Sequence, residues 1–117
     1  MEAVILLQRC NQTNRIFANR VEKRGNVWYK TWAFPIVEKR AKSEGYDRSS
    51  ICGMLYTAQE YPGCPYCGSS ASVHCNTCHR LSCWHDETEL SCRWCGAYMT
   101  GIRVTTDELE FTSGNDL

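Results

Sequence analysis

The stretch CPYCGSSASVHCNTCHRLSCWHDETELSCRWCG, residues 64–96, holds seven of the nine cysteines and all three histidines of the 117-residue chain. Six of these cysteines form three C-x-x-C pairs, and glycine directly follows two of the pairs. A C-x-x-C pair places two sulfurs on one tight turn, which is typical of structural zinc sites, and two such sites need eight ligands. The pattern predicts two Zn²⁺ ions held by Cys64, Cys67, Cys75, Cys78, Cys83, His85, Cys92 and Cys95.

Chain length favours a crossed assignment of these ligands to the two ions. Extended residues advance about 3.3 Å each, so the chain between residues 67 and 75 can span about 25 Å and lead from one ion to the other. The chain between residues 78 and 83 spans about 16 Å if it is a strand that runs back toward the first ion. We therefore expect one ion on Cys64, Cys67, Cys83 and His85, and the other on Cys75, Cys78, Cys92 and Cys95.

Two features of this assignment stay open. Loops can turn back where a strand does not, so a sequential pairing (residues 64, 67, 75 and 78, then 83, 85, 92 and 95) and a nested pairing also fit the sequence. A histidine beside a metal cluster is often a neighbour of the ligands and not itself a ligand. The residues that compete with His85 for the eighth position are His74, His79, Cys10 and Cys52.

Cysteine usage also indicates the compartment. The number of cysteines is odd, the thiols are grouped in C-x-x-C pairs, and the short apolar run at residues 3–7 has no basic leader. Such a run is too short for a signal peptide, and disulfides persist mainly in oxidising compartments, so metal binding is favoured over disulfides. No apolar run approaches the roughly 18 residues of a membrane span. We expect a soluble cytoplasmic protein without a membrane partner.

The two halves of the chain differ in charge. Residues 1–59 carry ten Lys/Arg against five Asp/Glu, whereas residues 60–117 carry three against eight. Each ion bound by four thiolates adds about two negative charges to the acidic half. Nucleic acid is therefore disfavoured as a partner. The basic residues of the first half are interpreted as a solvated face, with a phosphate or acidic-partner site as the alternative.

Residues 16–34 alternate between apolar and polar side chains around the turn signal Lys23–Asn26, which predicts a β-hairpin. Pairing Glu22 with Val27 would place Arg20 and Tyr29 on one side of the hairpin. The opposite side is predicted to face the core, because cross-strand aromatic pairs stabilise buried sheet faces. An exposed aromatic binding face is the disfavoured alternative. The predicted core-facing residues are Phe17, Val21, Trp28 and Trp32.

The remaining segments complete a single domain, since a chain of this length supports one modest core. Pro35 ends the second strand, and the charged residues 36–50 suit a short helix or a loop with Gly45 as its C-terminal stop. After the cysteines, Gly101–Thr105 is predicted to be a strand, followed by a turn at Asp107 and a second short strand. We predict a small β-rich α+β domain with a β-hairpin or sheet and a basic segment at 1–59, a cross-braced zinc-knuckle module for two metals at 60–100, and terminal strands and a tail at 101–117.

The order of these motifs resembles the TerY C-terminal metal-binding domain family. The resemblance rests on YPGCPYCG (61–68), the C-x-x-C of residues 75–78, Cys83 and CRWCG (92–96). It extends to Cys10 and to the segments TWAFPI, AKSEGYD and ELEFTSGND, and so covers most of the chain. It implies two metal ions on eight Cys or His residues, among them the seven cysteines of residues 64–95. One departure is His79, which stands where a zinc knuckle usually has glycine.

The resemblance also implies a biological setting. In that family the domain follows a von Willebrand A-type domain in bacterial proteins associated with tellurite resistance, and the gene systems also encode a protein kinase and a protein phosphatase. The A-type domain is not among these 117 residues, so its metal-dependent adhesion function is not expected here. A von Willebrand A-type, kinase or phosphatase protein is therefore the expected partner.

Closed four-ligand sites predict a structural role for the metals. They leave no position for water or substrate, so the metal contributes folding energy and not Lewis acidity. We expect a non-catalytic module that binds a protein. The competing hypotheses are a nucleic-acid-binding zinc ribbon and an enzyme. A thiol–disulfide enzyme is disfavoured because no βαβ pattern surrounds a C-x-x-C pair, and a zinc hydrolase would need Asp86 or Glu87 beside His85 as its base.

Overall fold

Strands form most of the regular structure in the computed structural model, which describes residues 2–104 and 107–114. The helical part is short and lies between the third and fourth strands, which confirms a small β-rich domain. In chain order the elements are β1 (Glu2–Arg9), β2 (Ile16–Arg24), β3 (Val27–Pro35), α1 (Glu38–Ser43), a 3-10 helix (Tyr46–Arg48), β4 (Ser50–Thr57), β5 (Ser72–His74), β6 (Leu81–Cys83), β7 (Glu89–Ser91), β8 (Tyr98–Thr100) and β9 (Leu109–Thr112).

Seven of these strands form one sheet in the order β5-β6-β1-β2-β3-β4-β9, and β7 and β8 form a separate hairpin. Within the large sheet, β1 is parallel to β6 and β3 is parallel to β4. Twist accumulates across a sheet of this width, and here its two ends meet. The amide of Thr112 donates to the carbonyl of His79 at 2.9 Å, and His74 Nε2 lies 2.7 Å from the carbonyl oxygen of Glu110. The sheet is therefore curled, with β9 beside β5 and the turn that follows β5.

Both faces of β1 are covered. Leu6 and Leu7 are fully buried although successive side chains of a strand point to opposite faces. Leu6 belongs to one apolar cluster, with Val21, Trp28, Ile51, Leu81 and Phe111. Leu7 belongs to a second cluster beside α1, with Ile16, Ala18 and Ala41. A third cluster joins the two halves of the chain and includes cysteines; its members are Cys10, Phe17, Ala33, Tyr61, Cys64 and Cys83.

The hairpin of β2 and β3 forms where the sequence predicts it, but in another register. Its loop is the two residues Gly25 and Asn26, so Arg24 lies opposite Val27. Gly25 has a φ of 65°, and a positive φ at the first position of a two-residue loop matches the twist of the flanking strands. The predicted pairing of Glu22 with Val27 is therefore wrong, because the tighter turn is compatible with the strand twist.

A β-bulge changes the face to which Trp32 belongs. Val21 pairs with Lys30 and Arg20 pairs with Trp32, which makes Thr31 an extra residue on β3. Lys30 is buried, whereas Trp32 lies on the side of Arg20 and is 53% exposed. The prediction of Trp32 as a core residue is wrong, because the bulge shifts the in–out alternation of β3 by one residue. The other three predicted core residues are buried: Phe17, Val21 and Trp28.

The third strand and the helix end where the sequence predicts, whereas the strand predicted after the cysteines forms at an earlier position. β3 ends at Pro35, and α1 ends before Gly45, which has a φ of 75°. The predicted strand Gly101–Thr105 is replaced by β8, which pairs with β7 across the cysteine turn between them. Residues 101–104 lie outside any strand, and Thr105 lies outside the described residues. Within the described residues, no helix has the length and apolar character needed to cross a membrane.

Candidate metal centres

Four turns of the chain share one hydrogen-bond pattern, and each begins at a cysteine. In every turn the amide of the residue four positions after the cysteine donates to the cysteine carbonyl, at 2.7–2.9 Å. The cysteine amide donates to the carbonyl five positions on, at 2.8–3.2 Å. The fourth residue after each cysteine has a φ of 60–80°, which favours glycine and is tolerated by asparagine and histidine. The turns begin at Cys10, Cys64, Cys75 and Cys92.

Three of these turns contain C-x-x-C pairs, and the fourth has Thr13 in place of the second cysteine. In two of the pairs an amide points at the first sulfur. These are the amide of Tyr66, 3.3 Å from Cys64 Sγ, and the amide of Trp94, 3.4 Å from Cys92 Sγ. Hydrogen bonds of this kind stabilise the thiolate form. Residues 10–14, CNQTN, are therefore a zinc-knuckle turn with one sulfur instead of two.

The sulfurs of eight cysteines form two groups, and within each group all four sulfurs lie within 4.8 Å of one another. Each group combines cysteines that are far apart in the sequence, so both depend on the tertiary fold. We name the first group the inner site: Cys10, Cys64, Cys67 and Cys83. We name the second group the outer site: Cys75, Cys78, Cys92 and Cys95.

The spacing of the sulfurs fits a tetrahedral metal ion. Four sulfurs at about 2.3 Å from zinc lie roughly 3.8 Å from one another. In the outer site the sulfurs of Cys75 and Cys95 are 3.7 Å apart, and those of Cys78 and Cys92 are 3.6 Å apart. The cysteines are free thiols. Each group could therefore hold one metal ion, and soft sulfur ligands favour zinc over magnesium or calcium.

The inner site is built into the large sheet. Cys10 directly follows β1, and Cys83 is the last residue of β6, which is the parallel neighbour of β1. Cys64 and Cys67 come from the loop after β4. Three of the four cysteines are buried, and Cys67 is partly exposed. The sheet itself thus brings two of the four sulfurs together.

A buried polar network lies behind Cys83. Gln8 Nε2 donates to the sulfur of Cys83 at 3.4 Å, and Gln8 Oε1 accepts hydrogen bonds from Asn19 and Ser72, each at 2.9 Å. Ser72 Oγ in turn accepts a hydrogen bond from Lys30 Nζ, at 2.6 Å. Buried polar groups are costly unless they are paired, so this network fixes its members in place. It connects one sulfur of the inner site to side chains of β1, β2, β3 and β5.

Lys30 and Tyr61 experience the charge of the inner site. Burial lowers the pKa of Lys30 to about 8, while a thiolate at Cys83 acts in the opposite direction and favours the ammonium. Burial, followed by the Cys83 and Cys64 thiolates, raises the pKa of Tyr61 well above its usual range. A divalent ion with four thiolates carries about two negative charges. The buried ammonium of Lys30 offsets part of that charge.

The thiols themselves need a cation to ionise together. Burial raises the pKa of Cys10, but hydrogen bonds from Thr13, Gln12 and Cys67 together outweigh it and lower the pKa to about 7. Burial raises the pKa of Cys67 to about 11. In the outer site, hydrogen bonds outweigh burial and lower the pKa of Cys75 to about 7, whereas burial raises the pKa of Cys92. Neighbouring thiolates disfavour one another, so a divalent ion is what allows four of them to coexist.

The structure brings together the seven predicted cysteines in the crossed pairing and gives the eighth place to Cys10. His85, the residue that the sequence favours for that place, lies outside the group, with Nε2 at 3.3 Å from Cys67 Sγ. The physical reason is that β1 neighbours β6, so the turn after β1 reaches the sulfur of Cys83. Three residues that compete with His85 in the sequence also lie outside both groups: His74, His79 and Cys52.

The sequence carries a signal for Cys10. Its turn reads C-N-Q-T-N, where asparagine occupies the positive-φ position that glycine occupies after Cys67 and Cys95. Only the missing second sulfur separates this turn from the others, and a search for C-x-x-C pairs passes over it.

Comparison with known proteins found no match: no family model, no curated protein and no solved structure matches the chain. The resemblance to the TerY C-terminal family therefore stays a prediction that rests on the motifs quoted above. Evidence for function comes from the geometry of the two sites and of the surface around them.

Proposed function

We propose that the chain is a non-catalytic protein-interaction module held together by two zinc ions. The observation that carries this proposal is that each group already contains four cysteine sulfurs. Four sulfurs complete the tetrahedral coordination that zinc adopts in structural sites, so no position remains for water or substrate. The metals then contribute folding free energy, and function is exerted by the protein surface.

The outer side of β2, β3 and β4 carries the residue types that dominate protein interfaces. Trp32 is 53% exposed, and Tyr56 is also exposed. The ring centroids of Tyr29 and Tyr56 are 6.0 Å apart, and the guanidinium of Arg24 lies 5.2 Å from the centre of the Tyr29 ring. Tryptophan, tyrosine and arginine contribute most often to binding energy at interfaces. We name this surface the aromatic face and define it as Arg20, Arg24, Tyr29, Trp32 and Tyr56.

The bulge of β3 supports a binding role for the aromatic face. If residues 30–32 were a regular strand without the bulge, Trp32 would point to the same buried side as Lys30, two residues before it. Bulges recur at positions where a side chain is re-aimed for function. Here the bulge moves a large apolar side chain from the core to the surface, beside two tyrosines and two arginines.

The resemblance to the TerY C-terminal family suggests the biological system in which the module acts. The chain would act in the bacterial cytoplasm, in a tellurite- or stress-resistance system linked to protein phosphorylation. Its partner would be a von Willebrand A-type protein, a kinase or a phosphatase of that system. Nucleic acid is less favoured, because acidic residues outnumber basic ones eight to three in residues 60–117.

Calorimetric titration of the zinc-loaded chain with these three proteins, purified from a tellurite-resistance system of the same organism, tests the proposal. We expect binding to at least one of them. Trp32→Ala should weaken that binding by tenfold or more, since truncation of a central aromatic residue commonly costs about 2 kcal/mol or more. Val37→Ala is the matched control, because Val37 is 62% exposed but lies outside the aromatic face.

Two results would contradict the proposal: binding to none of the three proteins, or equal weakening by Trp32→Ala and Val37→Ala. Steeply salt-dependent binding to duplex DNA would support a nucleic-acid-binding role instead.

Metal analysis of the same preparations should find close to two zinc ions per chain. Folded protein with no metal would overturn the zinc part of the proposal.

A further inference from the structure

The inner site meets solvent at one of its four cysteines. Cys10 and Cys83 have no exposed surface and Cys64 is 3% exposed, whereas Cys67 is partly exposed. A thiol reagent or competing chelator therefore reaches this site at Cys67. A group that contacts the sulfur of Cys67 is therefore placed to influence the release of a bound ion.

That group is His85. Its Nε2 lies 3.3 Å from Cys67 Sγ, and its other ring nitrogen, Nδ1, lies 3.9 Å from a carboxylate oxygen of Glu87. Glu87 is held in turn, since its carboxylate accepts a hydrogen bond from Asn11 Nδ2 at 3.0 Å and its carbonyl accepts one from Trp84 Nε1 at 2.8 Å. Asn11 belongs to the Cys10 turn. The ring of His85 thus lies between the sulfur of Cys67 and the carboxylate of Glu87, which the Cys10 turn holds through Asn11.

We propose that His85 is a positioning residue that shields the inner site by donating a hydrogen bond from Nε2 to the thiolate of Cys67. A metal-bound thiolate has no proton, so the hydrogen bond runs from the ring N–H to the sulfur. The bond withdraws electron density from the sulfur and makes it a weaker nucleophile. Residues that hydrogen-bond to metal ligands typically change metal affinity by 10–100-fold. The inference rests on the proposed binding of zinc at the inner site.

Alkylation of the zinc-loaded chain by N-ethylmaleimide tests the inference. Addition of the thiolate to the reagent forms a thioether, which is a much poorer ligand, so zinc is released to a chromophoric chelator. Mass spectrometry identifies the cysteine that reacts first. We expect His85→Ala to speed zinc release from the inner site by about tenfold, with Cys67 as the first cysteine of that site to react.

The outer site is an internal control. Cys95 is exposed, and zinc release through it should have the same rate in the wild-type chain and in His85→Ala. Two further variants separate the hydrogen bond from simple coverage of the sulfur. His85→Gln keeps an amide donor and should retain most of the protection against zinc release. His85→Phe covers the sulfur without donating a hydrogen bond and should lose that protection.

Several outcomes would overturn the inference. These are an unchanged inner-site release rate in His85→Ala, equal acceleration at both sites, and the loss of one zinc ion from His85→Ala, which would make His85 a ligand. If His85→Ala does not fold, the other two variants decide, because equal protection by Gln and Phe excludes a role for the hydrogen bond. A wild-type chain that binds no zinc counts against the proposed function, whereas these outcomes in a two-zinc chain count against His85 alone.

Discussion

The inner and outer sites each consist of four cysteine sulfurs and use the same kind of turn, yet they occupy different parts of the fold. The inner site joins the turn after β1 to the end of β6, inside the large sheet. The outer site joins the turn between β5 and β6 to the turn of the β7–β8 hairpin, and its Cys95 is exposed. The contribution of a metal to stability depends on what its ligands are attached to. We expect the inner ion to support the whole sheet and the outer ion to support one hairpin.

The largest effect is expected from Cys83→Ser, which removes an inner ligand. Apparent metal-binding free energies in small zinc domains are about 10–16 kcal/mol and are also folding energies. That is as large as the roughly 5–15 kcal/mol by which a typical domain is stable. We expect loss of the far-ultraviolet strand signal and of at least one zinc ion, measured by circular dichroism and metal analysis. A folded sheet with one ion would contradict this view of the inner site.

A smaller, local effect is expected from Cys95→Ser, the same chemical change in the outer site. The β7–β8 hairpin has no place in the large sheet, so losing the outer ion should release the hairpin and spare the sheet. Hydrogen exchange measured by NMR should show lost amide protection over residues 89–100 and retained protection in β1, β2 and β3. Metal analysis should find one zinc ion. Loss of protection throughout the chain would show that the two sites are equally integral to the fold.

The smallest effect concerns the one-sulfur turn and is measured against the Cys83→Ser background. Adding Thr13→Cys gives the Cys10 turn a second sulfur at the position where the other three turns have one. The inner site would then consist of two C-x-x-C turns, as the outer site does. We expect partial recovery of the second zinc ion and of the melting temperature in Cys83→Ser/Thr13→Cys. Thr13→Ser in the same background is the control and should recover neither.

The parts of the sites that the sequence predicts are those fixed by local spacing. Three C-x-x-C turns follow from short-range geometry, and the reach of the chain between them favours the crossed pairing without excluding the sequential and nested ones. Cys10 cannot be assigned in the same way, because the contact of its turn with β6 depends on a parallel strand pairing. His85 is two residues from Cys83, and that proximity favours it in the sequence, but its ring contacts a ligand from outside the group.

The β2–β3 hairpin was likewise predictable only in the features that depend on local sequence. Its existence, the stop at Pro35 and the stop at Gly45 follow from alternation and from residues with restricted or unusual backbone angles. Its register depends on a two-residue loop, and the exposure of Trp32 depends on one extra residue in β3. A one-residue change in alternation reverses every side chain beyond it, so small local differences decide which aromatic residues reach the surface.

The hydrogen bond between Gln8 and Cys83 joins residues 75 positions apart, and this has a consequence for the order of folding. During synthesis β1 leaves the ribosome long before β6, so it can pair with β2 but has no partner on its other edge. Contacts between distant residues form late, because their loop-closure entropy must first be overcome. We therefore expect the four sulfurs of the inner site to come together among the last events of folding. Until then, the apolar strand β1 has one open edge, and an unpaired apolar edge is prone to aggregation.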